Sequence, residues 1–392
     1  MRTRWTAILS GGVLLMAGCG SVPASPSPSS AAIPPSGTGG AGVSMPPGAA
    51  ARVRTCAAAG PGRPAGYLAG LQFVSPSRGW AVGQRVILAT ADDGRHWTTQ
   101  DTGALNLTSV DFVSDQDGWA VGAGTLLATT DGGARWSALP DPCLRSVHFV
   151  SASTGYAIAG GSTPGPFGAP GSGGLLLGSA DGGRSWRELS APRNAQSVCV
   201  DATGHGWLGA GGELYRSADS GRTWSLAAAG SRPPSAGYLA TMVAQCSGSG
   251  SAWALDIGPG AASSQEPHVG YHAGRGGVVP VFAEQYFPHP GVTVSAQAPG
   301  SYAGAMSAIS PAAAAFVDWC PACGNGTAPW DLVTGSGTTV TREAAVPGIT
   351  QPEAASFLSP QTGWIVGVAG PAGQRIAYTA DGGRSWQTQY QS

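Results

Sequence analysis

The sequence predicts an all-β fold, a single β-propeller of seven four-stranded blades, and three features carry that expectation. An eight-residue motif recurs five times, a Gly-Trp or Gly-Tyr element precedes each copy, and turn-forming residues punctuate the whole chain. Of 392 residues, 63 are Gly and 31 are Pro, which excludes long helices, whose interiors tolerate neither. Yet 42% of the chain is hydrophobic and 13 residues are Trp, more apolar bulk than a disordered chain carries. Turn-rich β structure reconciles the two facts.

The repeated motif is Ser/Thr-x-Asp-x-Gly-x-x-Trp, at residues 90–97, 129–136, 179–186, 217–224 and 379–386. Its acids are Asp92, Asp131, Asp181, Asp219 and Asp381, and its indoles are Trp97, Trp136, Trp186, Trp224 and Trp386. Upstream stand Gly79-Trp80, Gly118-Trp119, Gly155-Tyr156, Gly206-Trp207 and Gly363-Trp364. The acids are 39, 50, 38 and then 162 residues apart, so the last gap hides degenerate copies. Ala252-Trp253 fits one and Ala315-Phe316 another, which brings the count to seven. In the second copy, short strands are expected at 109–113, 119–122, 126–129 and 135–139, with Gly, Asp or Ser at each junction. Cys56 to Ser392 divides into seven units of about 48 residues, the size of a propeller blade. Six blades, with 230–350 folded otherwise, is the alternative.

Elementary turn chemistry explains the motif. The Asp carboxylate accepts backbone N–H bonds, the Gly supplies positive φ, the Ser or Thr hydroxyl ties the same turn, and the Trp buries its ring between blades. These acids are therefore expected to form turns rather than to catalyse or bind Ca²⁺. The motif resembles the Asp-box, or bacterial neuraminidase repeat, of sialidases, two-propeller xyloglucan hydrolases, sortilin-type receptors and photosystem II assembly/stability factors. The resemblance implies a structural role for the box, away from any catalytic face.

The N-terminus reads as an address and an anchor. Residues 1–18 combine Arg2 and Arg4 with a short apolar core, and Met16-Ala17-Gly18-Cys19 resembles the lipobox of bacterial lipoproteins. That resemblance implies cleavage before Cys19 and acylation of its thiol. A tether rich in Ser, Pro, Gly and Ala occupies 19–55, and the propeller is expected over 56–392. Localisation is accordingly expected to be extracytoplasmic, at the membrane. All 20 basic side chains are Arg, and the net charge of −1 argues against general nucleic-acid binding. Six cysteines remain after Cys19: Cys56, Cys143, Cys199, Cys246, Cys320 and Cys323. An even number outside the cytoplasm suggests disulfides, whose pairing stays open. Cys320-Pro-Ala-Cys323 has the spacing to close on itself, with a redox or metal role the alternative.

Any function is expected on the face formed by the B–C and D–A loops, which vary between repeats. Long loops are expected at 160–174, 256–270, 284–305 and 318–331. They carry Phe167, Tyr286, Phe287, His289, Tyr302, Trp319 and Trp330, aromatic groups suited to sugars or to a partner protein. Arg85, Arg145, Arg193, Arg232 and Arg375 fall on the same face. Enzyme readings find little support. The Phe-Arg-Ile-Pro segment of sialidases is absent, with Gly62-Arg63-Pro64 a poor substitute, and Asp256, Glu266, Glu284, Asp318 and Asp331 stand in no recognisable glycosidase frame. His268 and His272 lie in Gly-rich sequence, and neither a metal site nor a cofactor is expected.

Phe112 to Gly122 and Phe357 to Gly367, each followed by the box, most resemble the photosystem II assembly/stability factor group. The resemblance implies a single seven-bladed, often lipid-anchored propeller that binds protein partners at a membrane or envelope complex, here expected as a monomer. A carbohydrate-binding or sialidase-like glycoside-hydrolysing propeller is the alternative.

Overall fold

Short alternating runs bounded by turn residues form strands, and each run of four closes into its own antiparallel sheet. The computed structural model describes residues 63–392, apart from 102, 104–105, 123, 162–172, 231–240, 259–267, 284–301, 320–327, 335–338 and 371–372. Cys19, Cys56, Cys320, Cys323, Tyr286, Phe287, His289 and Arg232 lie outside the described residues. Blade 1 comprises β1 (Leu68–Phe73), β2 (Gly79–Gly83), β3 (Val86–Thr90) and β4 (Thr98–Asp101). Blade 2 comprises β5 (Ser109–Phe112), β6 (Gly118–Gly122), β7 (Thr125–Thr129) and β8 (Ser137–Leu139). Blade 3 holds β9 (Leu144–Phe149), β10 (Gly155–Ala159), β11 (Leu175–Ser179) and β12 (Arg187–Glu188). Blade 4 holds β13 (Ala195–Val200), β14 (Gly206–Ala210), β15 (Glu213–Ser217) and β16 (Ser225–Ala228). Blade 5 is β17 (Thr241–Gly248), β18 (Ser251–Ile257), β19 (His268–Gly274) and β20 (Gly277–Ala283). Blade 6 is β21 (Tyr302–Ser310), β22 (Ala313–Trp319), β23 (Ala328–Thr334) and β24 (Thr339–Val346). Blade 7 is β25 (Gln351–Phe357), β26 (Gly363–Val368), β27 (Gln374–Thr379) and β28 (Gln387–Gln391).

Each sheet keeps the chain order A-B-C-D, and the seven A strands touch one another in sequence until β25 meets β1. The ring is a seven-bladed propeller, and the six-bladed alternative is excluded. Both degenerate elements found in the sequence fall on B strands, Ala252-Trp253 on β18 and Ala315-Phe316 on β22. Among the described residues the first and last blades are each built from consecutive strands, so side chains fasten the circle where they meet.

They do so in two tiers. In the first, strand A carries a residue that reaches the next blade; it stands opposite the element's aromatic in six blades, whereas in blade 6 Ser307 pairs with Ala315 and Phe316 lies one rung away. Gln72 accepts the Phe112 N–H at 2.5 Å, Asp111 accepts that of Phe149, and the His148 imidazole meets the Val200 carbonyl at 2.8 Å. At the fourth junction the link is covalent, the Cys199–Cys246 disulfide with Cα atoms 5.5 Å apart. Gln245 then bridges to Met306 and Ala308, each at 2.9 Å, and Ser307 accepts the Phe357 N–H at 2.8 Å. Ser356 closes the ring by accepting the Phe73 N–H at 2.9 Å. All seven junctions are fastened.

The second tier uses the Gly-Trp aromatics. Trp80 donates to the Gly132 carbonyl, Trp119 to Gly182, and Tyr156 to Ser220, in each case a carbonyl inside the next blade's Asp-box. These rings also stack on the Phe that ends the next A strand, Trp80 on Phe112 at 3.5 Å, Trp119 on Phe149 at 3.5 Å, and Trp364 on Phe73 at 3.6 Å. Such pairs add about 0.5–1.5 kcal/mol beyond the area they bury. The same Phe explains the glycine before the aromatic in blades 1, 2, 3 and 7. A Cβ on Gly118 would lie 2.4 Å from the Phe112 ring, and one on Gly363 would lie 2.2 Å from that of Phe357.

Two aromatics from each repeat pack between blades. That of the Gly-Trp element is the deeper, with Trp80, Trp253 and Trp364 fully buried. The Asp-box tryptophans share the seam: Trp186 is buried against Trp119 of blade 2, while Trp97 and Trp136 are half-buried, edge-on to Phe73 and Phe112 and packed on Trp364 and Trp80 of the preceding blades.

Candidate functional site

The Asp-box joins strands C and D, and its geometry is the same in all five copies. Thr129 donates its hydroxyl to Asp131 at 2.9 Å and accepts the Gly133 N–H at 2.9 Å, while Asp131 accepts the Arg135 N–H at 2.9 Å. Gly133 has φ of 87°, where a side chain would be strained. The same bonds recur at Asp92, Asp181, Asp219 and Asp381. Donors hold these carboxyls below their ordinary range. His96 holds Asp92 at about 2, as Thr223 does Asp219 and Ser385 does Asp381. The Arg135 N–H lowers Asp131, and Ser185 lowers Asp181. Each acid thus spends its acceptor capacity on its own turn, which leaves no carboxylate poised for proton transfer.

The opposite face collects the B–C and D–A connections. Arg85 lies in the B–C turn of blade 1, and Arg193 lies between blades 3 and 4; both are exposed. Arg145 is not on a loop but is the second residue of β9, where burial pulls its guanidinium below the ordinary value. Arg375 likewise stands on β27, and its guanidinium donates to the Pro347 carbonyl at 3.2 Å. These arginines belong to separate blades around the rim.

The strands of blades 5 and 6 run further into the expected loops than the sequence suggested. Trp319 ends β22, and Trp330 and Asp331 lie on β23, so neither tryptophan is a loop residue; their side chains are outside the described residues. Asp256, His268 and Asp318 are also strand residues, 1%, 2% and 3% exposed. His268 and Asp318 approach within 3.5 Å and join blade 5 to blade 6. Asp256 faces the other side of its sheet, where it pushes up the pKa of Tyr271, a phenol already raised chiefly by burial. Two acids expected to be accessible are therefore inside the protein. Among the described residues no group of three or more His, Cys, Asp or Glu could hold a metal ion.

Sequence reasoning missed one polar cluster. Arg63, Tyr67 and Glu353 meet where the first and last blades join. The Tyr67 hydroxyl donates to Glu353, and the Arg63 guanidinium lies 3.4 Å from the same carboxylate and 4.1 Å above the Tyr67 ring. Gln374 holds the Leu68 carbonyl beside it at 2.9 Å. Burial, and then the hydrogen bond to Glu353, drives the Tyr67 phenol well above its usual range, and burial also raises the Glu353 carboxyl. The phenol is held as a hydrogen-bond donor, the opposite of an activated nucleophile. No signal links residues so far apart along the chain before the ring is closed.

Cysteine pairing, open in the sequence, is resolved for one pair by the Cys199–Cys246 bond. Cys143 is disulfide-bonded as well.

Residues 65–142, blades 1 and 2, match the family model described as photosynthesis system II assembly factor YCF48. A search of curated proteins finds no match. Among solved structures, YCF48 bound to a D1 peptide is 16% identical, with a TM-score of 0.50 over 80% of this chain and 93% of that one. The GH74 xyloglucanase from Xanthomonas campestris is 12% identical, with a TM-score of 0.57 over 83% of this chain and 54% of that one. The Cps50 (Swd1) propeller domain from Myceliophteria thermophila is 9% identical, with a TM-score of 0.57 over 81% and 98%. The present chain spans little more than half of that xyloglucanase. At these identities the likeness is one of fold, and it is a fold that both a peptide-bound assembly factor and a glycoside hydrolase share.

Proposed function

We propose that this protein is a lipid-anchored, extracytoplasmic propeller that acts as a monomer and binds a protein partner, as an assembly or stability factor of a membrane or envelope complex. The observation that carries the reading is the match of blades 1 and 2 to an assembly-factor family, on a ring fastened at every junction. A frame of that kind suits recognition, because loops gain specificity when their support does not move. The bound peptide in the YCF48 structure supports a protein partner, and the face of the B–C and D–A connections is where we place it. The lipobox-like residues before Cys19 and the Cys199–Cys246 bond support the compartment. Against catalysis, Asp256 and Asp318 are buried and engaged, and the Asp-box acids are consumed by their turns.

Crosslinking in intact cells is expected to recover one membrane or envelope complex, and to lose it when the connection between β20 and β21 is shortened. A panel of chromogenic glycosides, sialosides included, is expected to show no turnover. Turnover that disappears in a folded Glu353→Gln variant would overturn the reading in favour of a glycoside hydrolase.

A further inference from the structure

Three recesses of the same construction open on the Asp-box side, between blades 2 and 3, 3 and 4, and 4 and 5, with volumes of 490, 360 and 490 Å³. Each is floored by a Gly-Trp aromatic: Trp119, Tyr156 or Trp207. Because the blades are repeats, their equivalent positions can be compared directly. The residue opposite that aromatic on strand C is Ala128 in blade 2 and Gly178 in blade 3, but Arg216 in blade 4. The residue before the Gly-Trp element is Asp117, then Thr154, but His205 in blade 4. At the far lip, blade 5 has no Asp-box; a tight turn between Gly274 and Gly277 puts Arg275 there instead. The first two departures replace a neutral or acidic group by a basic one, and Arg275 keeps a guanidinium at the lip where Arg184 and Arg222 stand in the other two recesses.

The charges also differ in being unspent. Arg135, in the recess between blades 2 and 3, lies 3.9 Å from Asp131, and Arg184 donates to the Asp181 carbonyl at 2.7 Å. Arg216 and Arg275 are exposed, and among the described residues neither guanidinium has an ion-pair or hydrogen-bond partner. No carboxylate lines their recess, whereas Asp117 and Asp131 line the first and Asp201 the second. The nearest acids are already occupied. Asp219 accepts from Thr223, and Asp201 accepts the Gly250 and Thr203 N–H groups while lying 4.0 Å from His205. Hydroxyls of Thr223 and Ser225 and the ring of Trp224 complete the lining.

We propose that the recess between blades 4 and 5 binds an acidic saccharide, with Arg216 and Arg275 gripping a sugar carboxylate from two adjacent blades. Guanidinium groups match carboxylates in shape and charge, aromatic rings pack against sugar faces, and the volume is that of a small-ligand site. The recess is separate from the face proposed to hold the protein partner, so either reading can fail alone.

Calorimetric titration of the purified full chain with trigalacturonate tests this. Binding is expected, with none to neutral xylotriose, and it should weaken as salt is raised. The double variant Arg216→Gln/Arg275→Gln should lose about tenfold or more in affinity. Arg135→Gln, in the equivalent recess between blades 2 and 3, should change nothing. No binding, equal binding of xylotriose, full displacement by inorganic phosphate alone, or an unaltered double variant would each overturn the assignment.

Discussion

Blades 1 to 3 and blades 5 and 6 occupy equivalent places in one ring, yet they are held together by different chemistry. In the first group a wide C–D turn is filled by an Asp-box, and a Trp stacks on the next blade's Phe at the two junctions between them. In the second group the box is gone and the ladder lengthens: strand B has 5 residues in blades 1 to 3 but 7 in blades 5 and 6. The pairing of β19 with β20 runs on to Gly274 and Gly277, so strand pairing satisfies backbone groups that a carboxylate satisfies elsewhere. The disulfide follows the same logic. Cys246 pairs with Ala252 where Phe73 pairs with Gly79, and Cys199 holds the place of Gln72. A covalent bond thus stands where other junctions use a ring stack and a hydrogen bond. What the propeller demands of each blade is a fastening at that rung rather than a particular residue.

The comparison can be broken most severely at the tryptophans. Trp119→Ala and Trp253→Ala should each cost about 3–5 kcal/mol in denaturant unfolding, since both empty a buried inter-blade site. If only the first were costly, the box-free blades would owe their place to something else. Next in size is the disulfide: Cys199→Ser/Cys246→Ser should lose about 2–4 kcal/mol, and reductant should cost the parent chain at least as much, since it also breaks the bond of Cys143. An unchanged denaturation midpoint would show that the bond does not replace the stack.

A smaller effect separates the turns. Thr129→Val removes the bonds to Asp131 and to the Gly133 N–H, at about 1 kcal/mol, with hydrogen exchange quickening in residues 130–136. Acid should act in the same sense. Asp92, Asp219 and Asp381 are held at about 2, below the value near 4 of an unfolded carboxyl, so their stabilisation is full above about pH 4 and lost as pH falls toward 2. Amide exchange at pH 3 should therefore rise in the box turns before the tight turn of blade 5, which has no such carboxylate. Equal protection of both would contradict the role given to the box.

These residues also show what the sequence could reveal. The five boxes and the Gly-Trp elements are local patterns, and local hydrogen bonding makes them, so they were legible in a single chain. Blades 5 and 6 were legible only as Ala252-Trp253 and Ala315-Phe316, because the buried B strand keeps its apolar run after the turn chemistry has changed. The ends of those strands were misplaced: Asp256, His268 and Asp318 read as loop residues because polar side chains in Gly-rich sequence give no sign of partners in a neighbouring sheet. The first tier of inter-blade bonds left a trace that can be seen afterwards, a polar residue just before Phe in Gln72-Phe73, Asp111-Phe112, His148-Phe149 and Ser356-Phe357. Its meaning needed the ring, as did the meeting of Arg63 and Tyr67 with Glu353.

The central claim, that the face of the B–C and D–A connections holds a protein partner, is tested most directly by a photo-crosslinking residue placed at Arg193 and, separately, at Arg95 on the Asp-box side. Irradiation of intact cells should join one envelope protein to the chain from position 193 and none from position 95. The same protein captured only from position 95, or none from either, would contradict it.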